Sequence, residues 1–535
     1  MNSPKIILFL ALASNLYSYA AWAEKKNAVS PQPRYENTKN VDISNAQTLP
    51  SFTIKQIKVV GNTVLDEEIN RLISSYIGRK ADFNLLTELK DKISNLYIQN
   101  GYLNSGAYLA PQSIENGIVK FNIIEGTIEK INVSGNDRIS NGYIQSRLGD
   151  LKTPVSSSQL LDKLYLLRQD PLIESLSAEL ATGTKPGTSV LEVDVTEAKA
   201  FKVELGANNH KSPAIGQFAR WSNLTHNNLL GFGDRASFKY TNTKGSNTVD
   251  LNYSVPITSK DTRLSVAYGL GKNEVVEEVF TDLDIQSKAD YWQVNLTHPV
   301  IAKSNRQLSL GLAFSRQHSE TTLLDDPFTL SRGSDNEGNT NVSALRFSTN
   351  YLERKRDSVL AASSQFSAGL DTLGATISDD DDVADAQFLS WRGQVQYVQN
   401  LAEDFPIVFN SQLQLATDPL VPFEQFRVGG AGTVRGYRQD LALGDNGLAI
   451  SVETRIPVWR NRASDVLLQI SPFFDYGTAW NQDDLEVSYS NIASAGVGLN
   501  LTISDRLSSR LDWAVPFTKT EVDGTPFSFN LSYTF

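Results

Sequence analysis

Residues 527–535 read FSFNLSYTF, so that Phe527, Phe529, Leu531, Tyr533 and Phe535 fall on one side of an extended chain and Ser528, Asn530, Ser532 and Thr534 on the other. A period of two describes a β-strand with one apolar and one polar face. The same alternation sets Phe201, Val203, Leu205 and Ala207 against Lys202, Glu204, Gly206 and Asn208. It also sets Ala236, Phe238 and Tyr240 against Arg235, Ser237 and Lys239, and returns at 249–255 and 308–314. About sixteen such segments fit between 199 and 535, at roughly 21 residues per strand and connection, which suits tilted strands of about ten residues crossing a bilayer. Short turns at 230–234, 258–261 and 504–505 alternate with long loops near 271–286, 319–338, 372–386 and 420–446. Outer-membrane barrels have this asymmetry, with short periplasmic turns and longer outside loops. A soluble β-sandwich leaves unexplained why charges oppose the aromatic faces. Residues 199–535 are therefore expected to form a transmembrane antiparallel β-barrel of about 16 strands. Lys202, Glu204, Arg235, Lys239, Asp250, Arg510 and Asp512 are expected in a hydrated lumen, and Trp221, Trp292, Trp391 and Trp513 in the interfacial girdles.

Upstream the period changes, and the new pattern occurs twice. Ile54-x-x-Ile57-x-Val59-x-Gly61-Asn62 returns as Ile128-x-x-Ile131-x-Val133-x-Gly135-Asn136, every identity 74 residues on. Two copies of one small domain follow from that repeat, at 52–126 and 127–198. Each opens with a strand ending at a Gly-Asn turn. In the first copy Ile69, Leu72, Ile73, Tyr76 and Ile77 mark a helix face that Thr63-x-x-Asp66 is expected to start. A second helix carries Leu86, Leu89, Ile93 and Leu96, and strands are expected near 106–113 and 117–125. The second copy is read as helices around 140–148 and 156–168 and strands near 174–181 and 188–197. Such α+β modules (βααββ) leave a sheet edge open, where an extended chain can add as a strand. In the first copy the candidates for this are Ala107, Tyr108 and Leu109 on the strand and Leu89, Ile93 and Leu96 on the helix; a structural spacer is the alternative.

At the start, Lys5, the apolar run 6–13 and Ala21-Trp22-Ala23 have the order of a signal peptide, read as residues 1–23. Residues 24–51 are polar and carry three prolines before Ser51, and they read as a flexible leader or linker.

The balance of the chain excludes much. Lys+Arg 49 against Asp+Glu 60 gives a net charge of −11 over 535 residues, which lacks the basic field that nucleic-acid binding needs. Cysteine is absent and the four histidines stand at no zinc-site spacing, so thiolate chemistry and metal hydrolysis are disfavoured. The acidic loop Ser378–Asp385 lacks the spaced ligands of a Ca²⁺ loop and is read as solvated surface. No catalytic residues, cofactor or metal are expected. An enzyme would need a convergent cluster of His and carboxylates.

Three local motifs remain. Residues 429–437 read GGAGTVRGY, ending in Val434-Arg435-Gly436-Tyr437. Phe473-x-Asp475-x-Gly477 follows, with 40 residues separating Arg435 from Asp475. Between them lies Gly447–Pro457, GLAISVETRIP, with Glu453 and Arg455. A lone VRGY is a weak signal, but its position between two strands and ahead of Phe-x-Asp-x-Gly is specific. Together with tandem modules and a barrel, these motifs resemble the POTRA-domain outer-membrane superfamily, and most closely the two-partner secretion transporters (TpsB family, haemolysin/adhesin secretion-activation type). The resemblance covers 52–535. It implies an outer-membrane pore that recognises a large secreted exoprotein (TpsA-type) in the periplasm and passes it unfolded to the surface, without nucleotide. It also implies that the loop at 420–446 folds back into the lumen and that Arg435 pairs with Asp475; the alternative leaves Arg435 on an exposed loop tip. Many relatives carry a long N-terminal plug helix, which the prolines of 24–50 disfavour here. The partners implied are the exoprotein and outer-membrane lipid, with the chain itself a monomer. The rival function is a factor that inserts other barrels, which usually carries more such modules; a passive porin would need none.

Overall fold

A computed structural model describes residues 51–535 apart from 103, 150, 152, 153, 381, 382, 483, 484, 522 and 523. The expected signal peptide, the leader up to residue 50 and any plug within it lie outside the described residues. The described residues divide into two units, one ending at Ala198 and a second that holds Lys199–Phe535.

The first unit holds both modules. One runs β1 (Gln56–Val60), α1 (Asp66–Ser74), α2 (Phe83–Gln99), β2 (Gly106–Tyr108) and β3 (Ile118–Ile124). The other runs β4 (Thr127–Ser134), α3 (Asn141–Leu148), α4 (Ser157–Arg168), β5 (Ile173–Thr182) and β6 (Thr188–Glu197). In each, the last strand is central, parallel to the first and antiparallel to the one before it. The polar residues that precede the helices explain where three of them start. Asp82, Ser140 and Ser156 accept hydrogen bonds from the N–H groups of Leu85, Tyr143 and Gln159. Each module buries its own core, Ile69, Leu89, Ile93 and Phe121 in the first and Ile144, Leu148, Leu191 and Val193 in the second.

The repeated Gly-Asn turn has a steric cause. Gly61 (φ +98°) and Gly135 (φ +76°) lie so close to the next strand that an added Cβ would stand 2.6 Å from the Ile123 carbonyl oxygen and 2.4 Å from that of Val195. Two residues beyond each carbonyl a glutamate ties the turn down. Glu125 accepts from the N–H groups of Thr63 (2.7 Å) and Val64 (3.0 Å). Glu197 accepts from those of Asp137, Arg138 and Ile139 at 2.7 to 2.8 Å and from Arg138 Nε at 3.0 Å. The expected helix start at Thr63 is corrected by this contact: Thr63 gives its N–H and hydroxyl to Glu125, and α1 begins at Asp66 after a left-handed Leu65. Ile77 lies past the end of α1 and is exposed, so the apolar face ends earlier than its spacing implied. The strand expected at 106–113 stops at Tyr108, because the Gln112 side chain takes both the N–H and the carbonyl of Lys120 on β3.

Burial pushes the Glu197 carboxyl up, but the three backbone N–H groups and Arg138 outweigh it and hold its pKa below the usual carboxylate range. A lowered folded pKa adds stability that is full above the unfolded value of about 4.3 and is lost as pH falls through the folded value. Glu197→Gln is expected to cost the second module about 1.5 kcal/mol at pH 7 and nothing at a pH below both values. Thermal melts at the two pH values check this, and an equal cost at both would contradict it.

The second unit is a closed antiparallel barrel of 16 strands. Its first half comprises β7 (Phe201–Asn208), β8 (Ala219–Asn227), β9 (Arg235–Asn242), β10 (Ser246–Pro256), β11 (Arg263–Glu274), β12 (Ile285–Ala302), β13 (Arg306–Leu323) and β14 (Asn339–Arg354). The rest are β15 (Ser358–Leu370), β16 (Leu389–Ala402), β17 (Phe405–Ala416), β18 (Asn446–Thr454), β19 (Val466–Trp480), β20 (Asn491–Ile503), β21 (Leu507–Pro516) and β22 (Phe527–Thr534). Ile456–Asn461 extends β18 along β19. The barrel closes where Asn530–Thr534 of β22 pairs with Glu204–Asn208 of β7. Phe527, Leu531, Tyr533 and Phe535 are exposed on the outer face, whereas Ser528 is buried inside. On the inner wall Lys202 meets Glu204, Asn223 donates to Glu204, and Tyr291 donates to Asp250. Trp292 packs at a tilt against Phe314 outside, and Trp513 is exposed there. Trp221 is corrected. It pairs in register with Gly206 on the lumen side, and Lys239 stands 5.3 Å from its ring. Gly206 leaves the room the indole fills, because a Cβ there would lie 2.3 Å from the Trp221 ring.

Candidate functional site

The segment between β17 and β18 turns back inside the barrel. It forms a short hairpin, Phe426–Val428 against Ala442–Gly444, whose tip carries Val434–Tyr437. Arg435 is 7% exposed and Asp475, on the inner face of β19, 0%. Arg435 grips Asp475 with both prongs of its guanidinium, Nε to Oδ2 at 2.7 Å and Nη2 to Oδ1 at 2.8 Å, and its own backbone N–H donates to the same carboxylate at 3.1 Å. Nη1 reaches Glu453 of β18 at 3.0 Å and Asp512 of β21 at 3.4 Å. The guanidinium lies 3.3 Å from the centroid of the Phe473 ring.

The wall adds more charge. Arg510 donates to Glu453 (2.9 and 2.6 Å) and to Asp512 (2.7 and 2.7 Å), and Arg455 Nε donates to Glu453 at 2.9 Å. Three guanidinium groups thus face three carboxylates, and the planar forks of arginine suit such shared pairing. Arg510 and Asp512 lie on the lumen side, as their alternation implies; Asp512 is buried there and Arg510 keeps 22% of its side chain exposed, and the two pair with each other and Arg510 with Glu453.

Small residues make the seat. A Cβ at Gly477 would stand 2.5 Å from Val428 Cγ1 and 2.7 Å from Val434 Cγ2. One at Gly447 would strike the Phe426 ring at 2.1 Å. Tyr437 is buried beneath the loop, donating to the Ala493 carbonyl at 2.8 Å and accepting from the Thr518 N–H at 2.9 Å. Gly436 needs its left-handed φ of +91° and its lack of a Cβ beside Ala514.

The root of the loop is held by a second cluster that the sequence reading did not find. Glu424 is buried and takes both Arg346 prongs, at 2.9 and 3.3 Å, from β14. Asp445 is buried and accepts from the N–H groups of Leu420 and Gln482 and from Gln425 Nε2 at 2.9 to 3.1 Å. Glu424 and Arg346 lie 78 residues apart. No local spacing marks them.

The cargo candidates are divided by the fold. Leu89 and Ile93 are corrected: both are wholly buried in the first module's core, where nothing outside can touch them. Ala107 is also buried, and its N–H donates to Ser94 Oγ of α2 at 3.0 Å. That bond points away from β3, so by the alternation of an antiparallel ladder the Tyr108 N–H turns toward β3 and not toward the open edge. Tyr108 is 45% exposed, and Leu96 and Leu109 are partly buried. The second module offers a longer edge. β5 runs ten residues, Ile173–Thr182, and pairs with β6 on one side. Counting from the Gly183 N–H, which donates to the Thr188 carbonyl at 2.9 Å, the N–H groups of Leu176, Ala178 and Leu180 face away from β6. Among the described residues no group of His, Cys, Asp or Glu is arranged to hold a metal ion.

Comparison with known proteins bears on the fold and the family. Residues 187–501 match the family of haemolysin secretion/activation proteins ShlB/FhaC/HecB, and residues 52–126 match the ShlB-type POTRA domain. The chain is 25% identical over 506 residues to the heme/hemopexin transporter protein HuxB of Haemophilus influenzae (strain Rd), covering 90% of this chain and 86% of that one. Its fold is that of CdiB from Escherichia coli, with a TM-score of 0.73, 18% identity and 93% of each chain covered. BamA from Haemophilus ducreyi lacking POTRA domains 1–3 is more distant, with a TM-score of 0.54, 17% identity, and coverage of 90% of this chain and all (100%) of that one. The family match spans more than half of the sequence and includes Arg435, Glu453 and Asp475, and the chain belongs to the haemolysin secretion/activation family, outer-membrane transporters of two-partner secretion whose POTRA domains lie in the periplasm.

Proposed function

We propose that this chain recognises one large TpsA-type exoprotein in the periplasm, holds it extended, and passes it through the barrel to the cell surface, working as a monomer in outer-membrane lipid. The observation that carries the reading is a closed barrel whose inward loop is gripped by the Arg435 network and preceded in sequence by two modules, the second with the long strand edge of β5. Family members are transporters, and the reading includes no covalent step and no cofactor. Export draws on folding of the emerging chain outside. The test is full-length chain in lipid vesicles, given an unfolded TpsA-type exoprotein from the same cell. Cargo should become protease-protected inside vesicles that hold the chain, and equal protection in chain-free vesicles would overturn the reading. Insertion of other barrels is the second reading, and its support is fold likeness alone.

Cargo capture by strand addition belongs to the same proposal. Leu96, Tyr108 and Leu109 border the short edge of the first module, and β5 supplies the long edge of the second. Several main-chain bonds at about 0.5 to 1.5 kcal/mol each, offset by ordering the cargo, give modest affinity. That suits a substrate that must move on. Ala178→Pro removes an N–H that faces the β5 edge. It is expected to lower cargo capture at least fivefold in a pull-down while pore conductance stays unchanged. Unchanged capture would exclude the β5 edge.

A further inference from the structure

Three residues beyond Arg435, the tip of the inward loop makes a contact of a different kind. Arg438 Nη1 and Nη2 donate to Glu277 Oε1 and Oε2, both at 2.8 Å, across 161 residues of sequence. Glu277 lies between β11 and β12, in a loop with a short 3-10 helix, Glu278–Leu283. The Arg435 network is seated on β18, β19 and β21, whereas Glu277 belongs to the first half of the barrel, so the pair ties the loop tip to the far side of the mouth. The side chains of Arg438 and Glu277 are 23% and 28% exposed, against 8% and 0% for Arg435 and Asp475. Water and salt screen the first pair more than the second. The neighbouring contacts are main-chain bonds between loops: the Val276 N–H donates to the Ala214 carbonyl, and the Gly245 N–H to that of Ile215.

We propose that Glu277 is a latch residue: its pair with Arg438 holds the 275–284 loop against the inward loop at the barrel mouth, and release of this pair lets that loop swing aside while Arg435 stays seated. The proposal rests on the reading of the barrel as a secretion pore. Of the two arginines on the loop tip, one is built to stay and one to let go. A part-buried ion pair between two loops is the place where a passing chain can compete with the least disturbance of the wall.

The test uses the full chain, which has no native cysteine to interfere. In planar bilayers at low salt, Glu277→Gln and Arg438→Gln should each raise the time spent in open states at least threefold, and the double variant should add little to either. The exchanged pair, Glu277→Arg with Arg438→Glu, should return the channel toward its resting behaviour. In cells, Glu277→Cys with Arg438→Cys, joined by a cleavable bifunctional thiol reagent, should lower exoprotein release at least tenfold, with recovery on cleavage. Wild-type gating in the single variants, or unhindered release from the cross-linked protein, would overturn the latch. Gating that shifts as described in a chain that exports no exoprotein even as wild type would uphold the latch and overturn the secretion reading.

Discussion

Arg435→Ala is expected to lower exoprotein secretion at least tenfold while the amount of heat-modifiable barrel in the outer membrane stays within about twofold of wild type. Removing one member of a buried pair costs about 3–5 kcal/mol, because the partner is left without compensation. Here the deserted group is Asp475, which loses both guanidinium bonds and keeps at most the backbone N–H of residue 435. Glu453 and Asp512 keep Arg510, and Glu453 also keeps Arg455, so the wall stays paired while the loop tip is freed. The barrel itself rests on 16 hydrogen-bonded strands and does not depend on one ion pair. Asp475→Ala should resemble Arg435→Ala, and the double change should cost less than the sum of the singles. Arg435→Lys keeps the charge but loses the fork that spans both Asp475 oxygens, so it should rescue only in part. Secretion by Arg435→Ala within twofold of wild type would show that the pair is an ornament of the fold.

Gly477→Val is expected to act on the same loop from the other side. Any Cβ at 477 stands 2.5 Å from Val428 and 2.7 Å from Val434, and both are held in a buried cluster with Phe426 and Tyr437. Overpacking of that kind forces one surface away. The wall strand is fixed by neighbours on both sides, β18 and β20, so the loop must move. Bilayer conductance should rise severalfold and secretion should fall at least tenfold. Gly432→Ala is the control: nothing stands within 4 Å of a Cβ there, and both readouts should remain at wild-type level. Equal behaviour of the two variants would mean that the loop does not lie against β19.

Much of this architecture could be read from residue patterns. Alternation in 527–535 and its counterparts marks strands because neighbouring side chains must choose between lipid and lumen, and that choice is written in consecutive residues. The 74-residue repeat likewise shows the modules, since Gly61 and Gly135 are needed where a strand passes within van der Waals distance. What stayed hidden depends on distant partners. Glu125 and Glu197 tie down turns 58 to 62 residues away, and Arg346 meets Glu424 only because β14 and the loop root face each other inside the barrel. Trp221 reads as a girdle residue until Gly206 is seen opposite it. Leu89 and Ile93 read equally well as a binding face or a core face by helical period; the sheet that covers them decides in favour of the core. The Arg435–Asp475 contact itself was implied by resemblance, while Glu453, Asp512 and Arg510 join it through register across β18, β19, β20 and β21.

The most direct measurement of the central claim is made in cells that carry this chain and its TpsA-type exoprotein. With the chain deleted, exoprotein should remain in the periplasm and vanish from the surface and medium, other outer-membrane barrels should keep their normal amounts, and the wild-type chain, but not Arg435→Ala, should restore export. Undiminished export without the chain, or a general loss of folded barrels in its absence, would contradict a dedicated secretion pore.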